Sequence, residues 1–244
     1  MVYLPNVRAD RHILIVVTGE PAESVQARHG DFASIVSAAI GSCWAGTYRT
    51  VDARHEALAK AAWTAAAVVI TGSAAHVHHR EPWMLAAEEW LRNEVLGPRP
   101  ILGLCFGHQL LASALGGTVQ TNPAGRELGT VAIERSGEDP LLDGISLRFL
   151  ANTCHQDTVI VKPPGAVVLA RSSLDPHQCL RFTPRCYGVQ FHPEFTGDVM
   201  RGYIDARRQA LETEGAEPEA LHRNAADTPE ASRVLRNFCE HILP

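Results

Sequence analysis

Short apolar runs alternate with helical patterns along the first half of this 244-residue chain. Each run is rich in β-branched residues, and the segment after it repeats its apolar residues at the spacing of one helix face. The runs are HILIVVTG at 12–19, TYRTVDA at 47–53, AAVVITG at 66–72 and PILGLC at 100–105. Because parallel strands need a crossover between them, this alternation predicts an α/β fold with a doubly wound, mostly parallel, flavodoxin-like sheet.

The segments between the runs predict the helices that cover this sheet. In DFASIVSAAIG at 31–41, Asp31 is a candidate N-cap and Gly41 a candidate stop. HEALAKAAW predicts a short helix, and a further helix is expected from near Pro82 to about Leu96. Ligands of such sheets bind at the carboxyl ends of the strands, so functional residues are expected there.

After Gly117 the pattern changes to shorter strands separated by proline and glycine turns. They are expected at 129–134, 147–154, 157–162, 167–172 and 186–192. These runs predict a short-strand antiparallel extension of the sheet.

The C-terminal part of the chain is polar and helical in pattern. A helix is expected over 200–215, a polar connector without regular structure over 216–230, and a closing helix over 231–243. The closing helix carries one apolar stripe, formed by Val234, Leu235, Phe238 and Ile242. We expect a single domain over 1–244, with a helical extension from about 200 to 244.

Cys105 stands where the fourth apolar run meets a helical pattern, in GLCFG. A free cysteine is often a small core residue. However, Gly103 and Gly107 flank this one at the G-x-C-x-G spacing of a nucleophile elbow, where a tight strand-to-helix turn exposes the nucleophile. A helix that begins near Phe106 would direct its N–H groups at the sulfur and favour the thiolate. Both interpretations are open on this motif alone.

A partner for the cysteine occurs in YGVQFHPEF at 187–195. His192 ends an apolar strand pattern, and Pro193 favours an extended backbone before it. His192 and Glu194 should therefore project to the same side, with the carboxylate orienting the imidazole. Together with Cys105 they give a nucleophile, a base and an orienting group.

These two motifs, GLCFGHQLLASALGG and YGVQFHPEF, resemble the class I glutamine amidotransferases over most of the chain. The resemblance implies that Cys105 attacks the side-chain amide of glutamine, forms a γ-glutamyl thioester and releases ammonia. His192 and Glu194 would complete the triad. NPAGRELGTV at 122–131 is similar to the GMP synthetase-like branch of that family.

The resemblance also implies residues for the oxyanion hole and the substrate. Phe106 N–H is the first expected oxyanion donor. The second comes in relatives from a glycine-rich loop, where Gly72 matches but Ser73 and Ala74 depart. The substrate-binding residues carried over by the resemblance are Gln109, Cys154, His155 and Gln156, the last three through a segment whose backbone binds the amino-acid end.

Two polar clusters are interpreted as ordinary surface. His76, His78 and His79 have no cysteine or carboxylate at ligand spacing, so we expect a solvated loop and no metal. Arg201, Arg207 and Arg208, with Glu212 and Glu214, are expected on the exposed face of a helix. No cofactor is predicted.

Composition and charge narrow the classes of function. The net charge is −5 and no basic patch interleaves with aromatics, which disfavours a nucleic-acid partner. The N-terminal sequence lacks the order of a signal peptide, and no apolar run is long enough for a membrane span. Six scattered cysteines without a C-x-x-C pair predict reduced thiols. We expect a cytoplasmic protein.

The sequence contains no phosphate loop, no Rossmann glycine fingerprint and no S-G-G-x-D-S stretch. We therefore expect an amidotransferase unit without a synthetase domain. Three functions stay open: an ammonia donor to a separate synthase subunit, an independent γ-glutamyl hydrolase, or a catalytically silent binding protein. The intact set of Cys105, His192 and Glu194 disfavours the third.

Overall fold

The computed structural model of the chain describes residues 11–243, which adopt an α/β fold. The strands are β1 (His12–Val17), β2 (Thr47–Asp52), β3 (Ala67–Ile70), β4 (Ile101–Leu104), β5 (Thr118–Thr121), β6 (Glu127–Arg135), β7 (Arg148–His155), β8 (Asp157–Val161), β9 (Val167–Arg171), β10 (Cys179–Thr183) and β11 (Cys186–Val189). The α-helices are α1 (Glu23–His29), α2 (Phe32–Ile40), α3 (Leu58–Ala62), α4 (Pro82–Glu94), α5 (Phe106–Ala114), α6 (Gly197–Ala206), α7 (Arg208–Thr213), α8 (Pro218–Asn224) and α9 (Pro229–Asn237). A π-helical segment, Phe238–Ile242, directly follows α9.

Nine of the described strands form one sheet in the order β2-β1-β3-β4-β11-β10-β9-β6-β7. The pairs from β2 to β11 are parallel, and those from β11 to β7 are antiparallel. β5 and β8 leave this sheet and pair with each other. The predicted fold class, a mostly parallel doubly wound sheet with an antiparallel extension, is therefore confirmed.

Side chains of β1 alternate between two buried layers. Ile13 and Ile15 face the layer that includes α2 and α9. Leu14 and Val16 face the layer that includes α3, α4 and α5. Because both faces are covered by helices, the strand is apolar throughout rather than alternating, as its sequence indicated.

The helix boundaries predicted by capping residues are confirmed at α2. The side chain of Asp31 accepts a hydrogen bond from the N–H of Ser34 at 2.7 Å, and Gly41 has φ 52° at the other end. Pro82 is the first residue of α4, as its fixed φ favours.

The C-terminal expectations are partly wrong. The predicted helix at 200–215 is broken at Arg207 into α6 and α7, and the predicted connector contains α8. The closing helix is confirmed, and its apolar stripe is buried against the sheet. The predicted strand at 186–192 ends at Val189.

The structure also contains elements that the sequence did not predict. β5, with one buried residue in four, lacks a clear apolar pattern, and α1 buries only Val25. Such elements depend on neighbours elsewhere in the chain rather than on local periodicity.

No helix between residues 11 and 243 combines the length and the hydropathy needed to cross a bilayer. The signal-peptide prediction concerns the N-terminal segment, whose residues 1–10 lie outside the described part. All six cysteines are free thiols, as predicted.

Candidate active site

Cys105 lies in the turn between β4 and α5 with φ 49° and ψ −101°. Among the non-glycine residues of 11–243, only Arg80 shares a positive φ. A side chain in this region of backbone space costs energy, so the surrounding structure must hold it there. The predicted strand-to-helix elbow is therefore present at Cys105.

The two flanking glycines let α5 approach the sheet. A Cβ on Gly103 would lie 2.5 Å from the backbone carbonyl of Gly107, and a Cβ on Gly107 would lie 2.5 Å from the carbonyl oxygen of Ile70. Both contacts are with backbone, which cannot rotate away. The glycines of the motif thus have a packing role beside the nucleophile position.

We expect Gly103→Ala to lower the free energy of unfolding by roughly 1–3 kcal/mol, because the added methyl overpacks a backbone contact. The measurement is urea denaturation of the full chain. Gly137→Ala is the matched control, since a Cβ there meets nothing within 4 Å, and its effect should stay within about 0.5 kcal/mol. Equal effects of the two variants would contradict the close approach of α5 to β4.

His192 and Glu194 meet across a turn rather than along a strand. The N–H of Phe195 donates to the carbonyl of His192 at 3.2 Å, which closes the turn around Pro193. Nδ1 of His192 lies 2.7 Å from Oε1 of Glu194, and both side chains are buried. The imidazole also stacks on the ring of Phe195 at 3.9 Å between centroids, so two neighbours fix its plane.

Cys105 and His192 are 87 positions apart in the sequence, but both lie close to Gly72. A Cβ on Gly72 would lie 3.1 Å from Cε1 of His192 and 3.8 Å from Cβ of Cys105. The sheet brings them together, because β4 and β11 are parallel neighbours and the N–H of Cys105 donates to the carbonyl of Val189 at 2.8 Å. With Nδ1 engaged by Glu194, Nε2 of His192 is left for a proton from the site.

Burial dominates the electrostatics of the Cys105 thiol. The side chain is 5% exposed, and this burial raises the pKa of the thiol well above its ordinary value. Nearby Cys154 and Glu194 act in the same direction, whereas the N–H of Phe106 and the charge of Arg207 act to lower the pKa. The N-terminus of α5 thus acts in the direction that the sequence analysis expected, but desolvation outweighs it and raises the pKa of the thiol.

The candidate oxyanion donors lie on either side of Cys105. Phe106 N–H faces the sulfur, and the carbonyl of Gly72 accepts from the hydroxyl of Thr18 at 3.0 Å. Ser73 follows Gly72 in this loop, and a Cβ on Gly19 would lie 2.6 Å from the hydroxyl oxygen of Ser73. The loop after β3 accommodates this serine because Gly19 has no side chain.

A pocket of about 220 Å³ adjoins Cys105 and is lined by all four predicted substrate-binding residues, Gln109, Cys154, His155 and Gln156. Three of these side chains are engaged within the protein, and Oε1 of Gln156 accepts from the guanidinium of Arg126 at 3.2 Å. Nε2 of Gln109 donates to the backbone carbonyl of Asp157 at 2.9 Å. His155 Nε2 lies 3.0 Å from Glu127 and its Nδ1 lies 2.9 Å from the Asp157 carbonyl, which leaves only its backbone for a ligand.

Sequence reasoning missed Arg207, which it placed on an exposed helix face. Arg207 lines the pocket with Cys105 because the helix breaks there. Its guanidinium lies 4.8 Å from the centre of the Tyr203 ring, and no carboxylate of residues 11–243 pairs with it. A cation without a counter-charge in a pocket suits a carboxylate ligand.

Gln190 is a second residue that the sequence analysis did not single out. Its Nε2 lies 3.4 Å from Sγ of Cys105, and its Oε1 accepts from Gln109 at 3.0 Å. Gln190 directly follows β11 and precedes His192 by two residues. This position at the end of a strand is the sequence feature that could have identified it.

His78 and His79 are exposed, as expected of a solvated loop, but the cluster also contacts a buried carboxylate. His76 Nδ1 lies 2.8 Å from Oδ2 of the buried Asp157, and His78 Nδ1 lies 3.2 Å from the same oxygen. The carboxylate missing from the local sequence thus comes from the start of β8.

The family described as glutamine amidotransferase class-I matches residues 43–206 of the chain. One subunit of a GMP synthase (glutamine-hydrolyzing) from Ignicoccus hospitalis is 41% identical over 97 residues, which are 39% of this chain and 51% of that protein. The GMP synthase of Aeropyrum pernix is 37% identical over 59% of this chain, but the match covers only 26% of its own length. The match thus spans about half or less of the length of each of these two relatives.

Gamma-glutamyl peptidase 4 of Arabidopsis thaliana is 28% identical over 70% of this chain and 71% of its own length. A crystal structure of a glutamine amidotransferase from Thermotoga maritima superposes with a TM-score of 0.76 at 21% identity, covering 96% of this chain and 98% of that one. This structural similarity to the Thermotoga maritima protein supports the α/β fold of the chain.

Proposed function

The chain belongs to the class I glutamine amidotransferase family, and we propose that it hydrolyses the side-chain amide of glutamine to supply ammonia to a separate synthase. The observation that carries this proposal is the convergence of Cys105, His192 and Gly72 in space, with the cysteine held at φ 49°. A core cysteine needs neither that backbone nor that histidine.

In the proposed first step the thiol proton passes to Nε2 of His192 as the sulfur attacks the amide carbon. The N–H groups of Phe106 and Gly72 stabilise the oxyanion, each worth roughly 3–4 kcal/mol in such sites. The carbon–nitrogen bond then breaks, and His192 returns the proton so that ammonia leaves. Water, deprotonated by His192, cleaves the γ-glutamyl thioester to glutamate and restores the thiol.

The buried Glu194 supports the positive charge that His192 carries between these steps. Its Oε1 holds Nδ1 of the imidazole at 2.7 Å, which directs Nε2 towards the reacting atoms. Glu194 therefore orients and stabilises the base without itself exchanging a proton.

Substrate size favours glutamine. On the side of His192 the free space beside Cys105 is only about 20 Å³, close to what a single water molecule needs. Ammonia fits that space, whereas a peptide leaving group requires a rearrangement. The adjoining 220 Å³ pocket is larger, and Arg207, which lines both spaces, suits the α-carboxylate of the amino-acid end.

An independent γ-glutamyl hydrolase is the second candidate. It is favoured by the match to gamma-glutamyl peptidase 4, which extends over 70% of this chain and so further than the matches to the GMP synthases described above. The relative from Ignicoccus hospitalis supports the donor instead, since it is named as one subunit of a GMP synthase and so implies a synthase partner.

We expect the isolated chain to bind glutamine yet hydrolyse it at least roughly tenfold more slowly than with its partner, a difference of about 1.4 kcal/mol. The reason is the loop at Ser73 and Ala74, whose sequence departs from the glycine-rich loop of the family. In this proposal the partner completes the oxyanion hole at that loop. The measurement is steady-state hydrolysis of glutamine, glutathione and γ-glutamyl amines by the purified chain. A high kcat/KM on any of these substrates without added protein would contradict the ammonia-donor function and support the independent γ-glutamyl hydrolase. The Cys105→Ala variant gives the background rate.

A further inference from the structure

Three histidines of the loop after β3 contact one another, and two of them face one buried carboxylate. Nδ1 of His76 and Nδ1 of His78 both face Oδ2 of Asp157, and these three atoms lie within 4.8 Å of one another. The ring of His79 lies 4.9 Å from that of His76 and 4.8 Å from that of His78. The cluster therefore presents imidazole nitrogens and a carboxylate oxygen towards a common point.

The carboxylate of Asp157 lacks a permanent counter-charge. It is 4% exposed, and its Oδ1 accepts from the hydroxyl of Thr121 at 3.1 Å. Among residues 11–243, the basic groups within ion-pair distance are imidazoles alone, with no lysine or arginine. A buried charge is costly unless it is paired or ligates a metal, so the Asp157 carboxylate is a candidate metal ligand.

We propose that His76, His78 and Asp157 bind a divalent cation of the Zn²⁺ type. Zinc–nitrogen and zinc–oxygen bonds of about 2.0–2.2 Å place tetrahedral ligand atoms roughly 3.4 Å apart. The observed Nδ1–Oδ2 distances of 2.8 and 3.2 Å need only a small opening to admit the ion. Neutral imidazole and carboxylate are ligands that suit zinc, and water or His79 supplies the fourth position.

The position of the cluster gives the cation a consequence for the pocket. His76 and Asp157 line the same pocket as Cys105, and the histidine loop begins just after Gly72. The backbone carbonyl of Asp157 also holds Gln109. A bound ion would tie the loop that carries Gly72 to β8, and so fix one wall of the pocket against another.

The test is a Zn²⁺ titration of the full chain in competition with a chromophoric chelator. A Cys105→Ser background removes the sulfur that could itself bind zinc, and makes the result independent of the proposed activity. We expect one Zn²⁺ per chain, with an affinity that falls at least roughly tenfold in His76→Ala and in His78→Ala. Co²⁺ in place of Zn²⁺ should give tetrahedral absorption bands that both substitutions abolish.

His241→Ala is the matched control, because Nε2 of His241 lies 3.6 Å from Asp143 without a second histidine beside it. It should leave Zn²⁺ affinity unchanged. The side chains of His76 and His78 are each 33% exposed, so both variants should fold, and thermal unfolding of the metal-free proteins checks this. Absence of stoichiometric binding, or equal affinity in the folded His78→Ala variant, would overturn the proposal and leave only the direct contacts of the two histidines with Asp157.

Discussion

Replacing Cys105 by alanine should reduce kcat/KM for glutamine by at least roughly 10³-fold, because the covalent route then disappears and only positioning and oxyanion contacts are left. The measurement is glutamate release by purified full-length variants. Cys43→Ser is the matched control, since Cys43 is a free, half-buried thiol that does not line the Cys105 pocket. Full activity in Cys105→Ala would exclude the thioester mechanism.

The raised pKa of Cys105 allows a second test of its assignment as the nucleophile, by chemical labelling. Because burial favours the neutral thiol, a small neutral alkylating reagent should label Cys105 slowly at neutral pH and faster as the pH rises towards the raised pKa. An electrophilic glutamine analogue should label it at neutral pH, since it places the reacting carbon beside both the sulfur and His192. Even labelling of the other five cysteines by that analogue would contradict the assignment.

His192→Ala should lower kcat by roughly 10²–10⁴-fold, because both proton transfers depend on the imidazole. Glu194→Gln should retain more activity than His192→Ala. The glutamine oxygen can still accept the Nδ1 proton, and stacking on Phe195 at 3.9 Å continues to hold the ring plane. Single-turnover thioester formation and steady-state hydrolysis, measured for both variants, give the order of the two effects.

Circular dichroism and thermal unfolding provide the control for these two variants, because both side chains are buried. Larger loss of activity in a folded Glu194→Gln than in a folded His192→Ala would show that the carboxylate does more than orient the base. Equal rates for the parent chain and His192→Ala would assign the proton transfers to another group.

The sequence predicted those parts of the fold that depend on local pattern. Helices cover both faces of β1, β3 and β4, so these strands are continuous apolar runs. Such runs can be recognised in the sequence without the structure. Asp31 and Pro82 mark helix starts through their own backbone and side-chain chemistry. By contrast, β5 and α8 contain few buried residues, so partners distant in sequence determine them.

For the candidate site, the sequence by itself determined which chemical groups are available and where each sits relative to a strand end. It identified Cys105 from its flanking glycines and His192 from its neighbouring carboxylate, since both patterns lie within a few residues. Only the tertiary structure decided that the two meet, because the parallel pairing of β4 with β11 is a long-range contact.

The tertiary structure alone also decided the state and the surroundings of those groups. Burial by distant segments raises the pKa of the Cys105 thiol, a helix break places Arg207 at the pocket, and strand pairing brings Asp157 to the histidines. The physical reason is the same in all three cases. Desolvation and charge pairing depend on which residues pack around a group, and the local sequence does not specify those residues.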